Sequence, residues 1–139
     1  MSEFHTGGCV CRAIRYRLTG QPARTTICHC TFCQRRTGTA FAEIVTFEES
    51  QVELEGEEPR MYEHRSDESG RWIRVHFCPH CGTHLFITAE ARPGFLSMAG
   101  GTLDDSSWVQ WGRHIWTRSS QHWLPIPDGP SRFDKAPTN

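Results

Sequence analysis

No apolar run in this 139-residue chain approaches the ~20 residues that a membrane-spanning helix needs. The opening Met1-Ser2-Glu3-Phe4-His5 has neither the basic start nor the apolar stretch of a secretory leader. The expectation is a cytoplasmic protein with no membrane partner. A strong charge of one sign is also missing: the net charge is -1 and the pI about 6.7, which argues against nucleic acid as a partner. Lysine is nearly absent, Lys135 being one of 15 basic residues. A basic set made almost wholly of arginine suits bidentate contacts to carboxylates, and so a small acidic ligand. No stretch of 11 or more residues keeps a helical period, and no linker, repeat or low-complexity segment divides the chain. Apolar residues are few as well, at 37% with a mean hydropathy of -0.55. One domain of this length buries about 65–70% of its unfolded surface, so something besides a large core is expected to hold it.

What the chain does have is cysteine, seven in all. An odd number leaves at least one thiol out of any disulfide scheme, and in a reducing compartment closely spaced cysteines are metal ligands before they are disulfides. Cys9-x-Cys11 and Cys78-x-x-Cys81 each supply two ligands and cannot complete a site alone. Joined, they make a closed four-thiolate zinc site, structural in character, that clamps the N-terminal region to the late Cys78-Pro79-His80-Cys81-Gly82 knuckle. Such a site contributes on the order of 10 kcal/mol to folding, which offsets a lean core.

Cys28, Cys30 and Cys33 remain, within Cys28-His29-Cys30-Thr31-Phe32-Cys33-Gln34-Arg35-Arg36-Thr37-Gly38. Three thiolates with an open fourth position is the pattern of a catalytic zinc. Two other readings stay open at this point. A histidine could close the site, His80 and His84 being the nearest in sequence to a cysteine motif, or Cys28 could form a disulfide with Cys30 or Cys33 when metal is absent. In an extended Cys28-His29-Cys30 the imidazole points away from its neighbours, so His29 is expected to be hydrogen-bonded or at the surface rather than a ligand. Arg35 and Arg36 read either as an anion clamp or as a solvated pair, and consecutive positions allow only one of them to face the thiols.

Alternation marks strands over Ala13 to Leu18, Phe41 to Phe47, Gln51 to Leu54, Arg60 to His64, Trp72 to Phe77, Thr83 to Thr88, Phe95 to Ala99 and His114 to Trp116. The fold class is therefore mainly β. Gly7-Gly8 reads as a turn, followed by a strand that puts Cys9 and Cys11 on one face. Leu103 to Trp108 reads as a capped single turn, with Asp104 and Asp105 as cap rather than as an acid/base pair. Trp108, Trp111, Trp116 and Trp123 read as core before pocket wall. Residues 1–130 form one zinc-binding domain, and the Pro- and Gly-rich end, 131–139, a loosely held tail.

The three cysteine motifs in this order, with Gly7-Gly8 before the first, Gln34-Arg35-Arg36-Thr37-Gly38 after the second and Phe77 before the third, resemble the glutathione-dependent formaldehyde-activating enzyme family, which includes centromere protein V. Ala99-Gly100-Gly101-Thr102-Leu103-Asp104, His114-Ile115-Trp116, Trp123 and Pro127-Asp128 are similar too. The resemblance implies a β-tent fold of antiparallel sheets, a structural zinc on Cys9, Cys11, Cys78 and Cys81, and a catalytic zinc on Cys28, Cys30 and Cys33, two Zn2+ per chain. It also implies a glutathione-type thiol and a small aldehyde as partners, with carbon–sulfur lyase chemistry on an S-hydroxymethylglutathione-like adduct, Arg35 and Arg36 being candidates to hold the substrate. Arg12 departs from the family, which usually has glycine after the CxC. The alternative from another class is a non-catalytic, zinc-stabilised binding module in which both sites are structural. Methionine sulfoxide reduction on a related fold is disfavoured, since it needs a reactive cysteine free of metal.

Overall fold

The protein is seen in a computed structural model that describes residues 3–129 and 131–137. It is mainly β, as the alternation predicts. The strands run β1 (Phe4–Gly8), β2 (Ile14–Thr19), β3 (Arg24–Cys28), β4 (Ala42–Glu48), β5 (Val52–Gly56), β6 (Arg60–Arg65), β7 (Trp72–Phe77), β8 (His84–Ala89), β9 (Phe95–Ala99) and β10 (Arg113–Ile115); among the described residues there is one short α-helix, α1 (Thr31–Thr37), between β3 and β4, besides three single 3-10 turns. A three-stranded sheet has the order β1-β2-β5, and a seven-stranded sheet the order β10-β3-β4-β9-β8-β7-β6. All neighbours are antiparallel except β10 and β3, which run parallel.

The first core forms where alternation puts Ile14, Tyr16 and Leu18 of β2 on one face, against Val45 and Phe47 of β4, Phe86 of β8, and Leu96 and Met98 of β9. The Arg15 and Arg17 positions between them face outward, the pattern of a half-buried strand. A second, smaller cluster holds Cys28, Cys33, Ala42, Ile44 and Ile115, with Phe32, Trp116 and Phe133 packed against it. Cys28, Thr26 and Arg24 occupy alternate positions of β3 and so share one face.

Several expectations change. Gly7 and Gly8 are inside β1, not in a turn: a Cβ on Gly7 would lie 2.3 Å from the Tyr16 hydroxyl and 2.5 Å from the Thr102 carbonyl, so close approach is what requires glycine. Cys9 and Cys11 are not on a strand face but in the turn from β1 to β2, where the Arg12 amide donates to the Cys9 carbonyl (3.1 Å) and the Cys9 amide to that of Ile14 (3.1 Å). Arg12, the position where the family usually has glycine, adopts the left-handed φ of 68° that a glycine would take freely. Strands β1 and β3 are additions to the sequence reading. The last strand stops at Ile115, because Trp116 turns to a positive φ of 56°.

In the region expected to be a loose tail, residues 131–135 run beside β10. The His114 amide donates to Ser131 (2.9 Å), the Phe133 amide to His114 (2.9 Å) and the Trp116 amide to Lys135 (3.0 Å). Pro130, at the expected boundary, and residues 138–139 lie outside the described residues, as do Met1 and Ser2. Among the described residues no helix is long and apolar enough to cross a membrane.

Replacing Arg12 by glycine removes the Cβ conflict of the left-handed conformation, worth about 1–2 kcal/mol, and loses part of it to the greater freedom of the unfolded chain. Arg12→Gly is expected to stabilise the metal-loaded protein by about 0.5–1 kcal/mol, read as a higher urea midpoint at unchanged zinc content.

Candidate metal centres and the adjoining cleft

The turn between β1 and β2 brings Cys9 and Cys11 to the turn between β7 and β8, which carries Cys78 and Cys81. Their four Sγ atoms all lie within 4.8 Å of one another, with Cys9 to Cys11 and Cys11 to Cys78 both at 3.7 Å. A tetrahedral zinc with bonds of ~2.3 Å has S···S edges of about 3.8 Å, so the separations fit the ion. Amides aim at the sulfurs as they do at thiolates: Ile14 N–H to Cys9 Sγ at 3.3 Å and His80 N–H to Cys78 Sγ at 3.4 Å. Gly82, at φ 75°, lets its amide return to the Cys78 carbonyl at 2.9 Å. Thr83 binds the two turns together, its hydroxyl accepting from the Val10 amide (3.1 Å) and lying 3.1 Å from Cys81 Sγ. That hydroxyl is the main reason the Cys81 thiol is held down to about 5.

The second trio is built by a strand end and a helix start. Cys28 closes β3; Cys30 is the N-cap of α1, extended at φ -65° and ψ 155°, its Sγ accepting from the Cys33 amide at 3.2 Å; and Cys33 lies buried on the inner side of the helix. Their sulfurs also fall within 4.8 Å of one another, and among the described residues no histidine or carboxylate joins them. Bonds from Cys28 and then Cys33 hold the Cys30 thiol down to about 3. The same crowding by Cys30 and Cys33, with burial, pushes Cys28 far above its ordinary value. At Cys33 the Cys28 bond lowers the pKa, but Cys30 and burial outweigh it and raise the thiol to about 11. One thiolate is comfortable here; three together need a cation. The residues present therefore fit a metal ion at both clusters, and both could hold zinc.

Helix α1 is missing from the sequence reading because seven residues are too few to display a period. Its cues were a cysteine serving as cap and Gly38, left-handed at φ 73°, whose amide donates to Gln34 at 2.8 Å. Gln34 moors the helix, its side-chain amide donating to the carbonyls of His29 (2.8 Å) and Ser119 (2.9 Å). The helix also separates the two arginines. Arg35 is exposed, while Arg36 is half-buried and turned toward the trio, with Nη2 3.8 Å from Cys33 Sγ and Nη1 3.1 Å from His84 Nδ1. Burial, and then the Arg36 charge, lower His84 to about 4, so at neutral pH its Nδ1 accepts from Arg36, and His84 does not join the sulfur trio. His80 pairs instead with Glu57 at 3.0 Å. His29 is fully buried, its Nε2 3.0 Å from His114 Nδ1, a hydrogen-bonded histidine rather than a ligand.

Only Cys30 of the trio is partly exposed, and it opens on a cleft of about 430 Å3, inside the ~300–1,000 Å3 usual for small-molecule sites. One wall is Phe32 stacked on His64 at 4.4 Å, another is Trp116 to Ser119, and Ser66 to Glu68 of the β6–β7 turn close the far side. The tryptophans divide: Trp108 and Trp111 pack on the first core, Trp116 both packs on the second cluster and lines the cleft, and Trp123 is exposed. Asp105 caps a turn, accepting from the Ser107 amide at 2.9 Å. Asp104 does not cap: it takes Arg15 Nη1 at 3.0 Å and the Thr6 hydroxyl at 2.6 Å, tying β1 and β2 to the segment after β9.

The model of one protein family, described as glutathione-dependent formaldehyde-activating enzyme, matches residues 4–119. The chain belongs to this family. A crystal structure of a Rhodobacter sphaeroides protein, a structural-genomics target, is similar at a TM-score of 0.53 and 20% identity, over 71% of this chain and 87% of that one; the likeness concerns the fold alone. Both the three-motif pattern of cysteines and the two clusters they form lie inside the matched segment.

His84 gives a test of the Arg36 contact. Its folded pKa of about 4 lies below the ~6.5 of an unfolded histidine, so the folded state binds fewer protons between these values and the contribution is lost as pH falls from about 6.5 toward 4. His84→Gln, which keeps an acceptor for Arg36, is expected to lose less stability than the parent over that window. Urea midpoints of both proteins at pH 7 and pH 5 measure the difference.

Proposed function

We propose that this chain is a zinc-dependent carbon–sulfur lyase acting on a glutathione-type thiol and a small aldehyde. Cys9, Cys11, Cys78 and Cys81 hold a structural zinc, and Cys28, Cys30 and Cys33 a catalytic one. The observation that carries this reading is the asymmetry of the two clusters: the first offers four sulfurs, whereas the second offers three, and its one partly exposed cysteine, Cys30, lines a cleft of substrate size.

When bound, zinc would supply a soft Lewis-acid position at which a substrate thiol is held as thiolate at neutral pH. The chain's own residues do the rest. Phe32, His64 and Trp116 exclude water from the side of the cleft next to Cys30. Arg36, bonded to Cys33, offsets the negative charge that three thiolates leave over a divalent ion; Arg35, exposed on the far side of the helix, has no such contact. Half-buried His84 keeps Arg36 aimed inward. In the synthetic direction the thiolate sulfur bonds to the aldehyde carbon and the carbonyl oxygen takes a proton to become hydroxyl; the reverse breaks the same C–S bond and returns the proton.

Purified protein is expected to contain two zinc ions per chain, Cys33→Ser one while remaining folded, and Cys78→Ser to lose the fold, given the order of 10 kcal/mol that a structural site contributes. Metal analysis with circular dichroism reads all three. With Co2+ in the three-cysteine site, glutathione should change the thiolate-to-metal absorption. No change at millimolar glutathione would sink the lyase, and unfolding of Cys33→Ser would make the protein a binding module with two structural sites.

A further inference from the structure

Pairing carries one face of the large sheet from the cleft to its opposite end. His64 stands opposite Ile73 and Ile73 opposite Ala89; two residues back along β8, Ile87 stands opposite Ser97, Ser97 opposite Thr46 and Thr46 opposite Arg24. Arg113 stands beside Thr26 across the parallel pair of β10 and β3. Alternate residues of a strand share a face, so the cleft residues His64 and Ile73, the thiol of Cys28, and Arg24 and Arg113 all belong to one side. That side is polar beneath its surface: Thr26, Thr46 and Ser97 are buried there, Thr46 and Ser97 hydroxyls 3.2 Å apart, and Arg113 Nε donates to the Thr26 hydroxyl at 2.9 Å.

A third arginine joins them from the turn between β8 and β9. Arg92, its amide bonded to the Ala89 carbonyl at 3.0 Å, is half-buried. Burial, then the charge of Arg24, disfavour its protonated form, while Cys28 and Cys33 favour it. Arg113 is subject to burial, Arg24 and Arg92 in the same way, and is favoured by Cys28. Phe95, where that turn joins β9, stands opposite Glu48, two residues beyond the partner of Arg24, so Arg92 reaches the sheet at the end where Arg24 and Arg113 lie. Among the described residues none of the three makes an ion pair with an aspartate or glutamate. The trio does not use up their charge either. Three thiolates on a divalent ion leave about -1, and Arg36 already sits against it. Arg92 and Arg113 are half-buried and Arg24 is exposed; none of the three is offset by a carboxylate partner, and Arg24 and Arg113 stand on the face that Cys28 shares.

We propose that Arg24, Arg92 and Arg113 form an anion site for a carboxylate of the thiol partner, which makes thiols bearing a carboxylate on a peptide-length tail the preferred substrates. This rests on the reading of the trio as a thiol site. Thr26 and Arg24 lie two and four residues from Cys28, about 7 and 13 Å along a strand that rises ~3.3 Å per residue. A peptide-sized thiol spans such a gap and a two-carbon thiol does not. Paired N–H donors of arginine match a carboxylate as lysine cannot.

Three thiols titrated against the protein with Co2+ in the three-cysteine site separate the possibilities: glutathione, its dimethyl ester and 2-mercaptoethanol. Glutathione is expected to bind about tenfold more tightly than its ester or more, and the double variant Arg92→Gln/Arg113→Gln to reduce glutathione to the level of the ester while leaving the ester unchanged. Arg118→Gln, on the cleft wall, should leave the preference intact. Equal binding of glutathione and ester by the parent protein overturns the anion site and leaves the thiol site standing, as does a preference lost in Arg118→Gln and kept in the double variant. The parent comparison needs no variant to fold. If no thiol alters the cobalt spectrum, the thiol reading fails, and calorimetry with S-methylglutathione decides the arginines alone. Binding abolished in the double variant sustains the anion site; absent binding, or binding indifferent to the arginines, overturns it.

Discussion

Four thiols from turns of two different sheets meet within 4.8 Å, and the placement of both sheets depends on that meeting. Cys9 and Cys11 belong to the turn that heads the small sheet, Cys78 and Cys81 to a turn of the large one, with 67 residues separating Cys11 from Cys78. Closing a loop of that length costs about 4 kcal/mol of chain entropy. A zinc held there, as proposed, would return on the order of 10 kcal/mol, more than enough to hold the sheets together over a core whose apolar content is modest. The thiols could not supply this by themselves, because neighbouring sulfurs resist common ionisation unless a cation shares them.

The same ligand chemistry takes on a different character at the trio because of what carries it. On the β7–β8 turn a CxxC faces a second pair from another turn, and together they offer the four sulfurs a closed site needs. Cys30 and Cys33 instead straddle the start of α1, where the cap position fixes one sulfur and the first turn the other. The helix occupies the space a second turn would need. Moored by Gln34 to the backbone of His29 and Ser119, it leaves the remaining side of the cluster facing the cleft. Accessibility, more than ligand type, distinguishes the two clusters.

Much of this was legible in the residues, in proportion to how local the determining physics is. The division of seven cysteines into four and three follows from spacing alone, and the alternation of β2, β7, β8 and β9 declares them as strands. Strand β1 is hidden behind Gly7-Gly8, since a glycine demanded by the Tyr16 ring looks, in sequence, like a glycine demanded by a turn. Strand β3 is hidden because Arg24, Thr26 and Cys28 give its inner face the polarity of an outer one. The cleft has no sequence signal at all: its walls come from residues 30–32, 64–73 and 116–119, which only the pairing of β6, β7 and β10 brings together. The segment 131–135 is similar, its Pro- and Gly-rich surroundings saying nothing of the hydrogen bonds that the free edge of β10 offers.

Arginine links these observations. On a surface, a lysine and an arginine serve solubility about equally, and a chain with Lys135 as its sole lysine gives nothing away there. Beneath the surface they differ, because a guanidinium is more weakly hydrated than an ammonium and keeps its charge when half-buried. Arg36 uses that property beside Cys33, where a charge must persist in contact with sulfur and with the His84 ring. Arg92 and Arg113 keep theirs although burial and neighbouring charge oppose it. A face that tolerates such repulsion without a carboxylate of its own has an electrostatic preference that only an anion from outside can satisfy. On the proposal made above, the small acidic ligand suggested by composition would sit not at the exposed Arg35 next to the thiols in sequence, but at the opposite end of the sheet face that Cys28 shares.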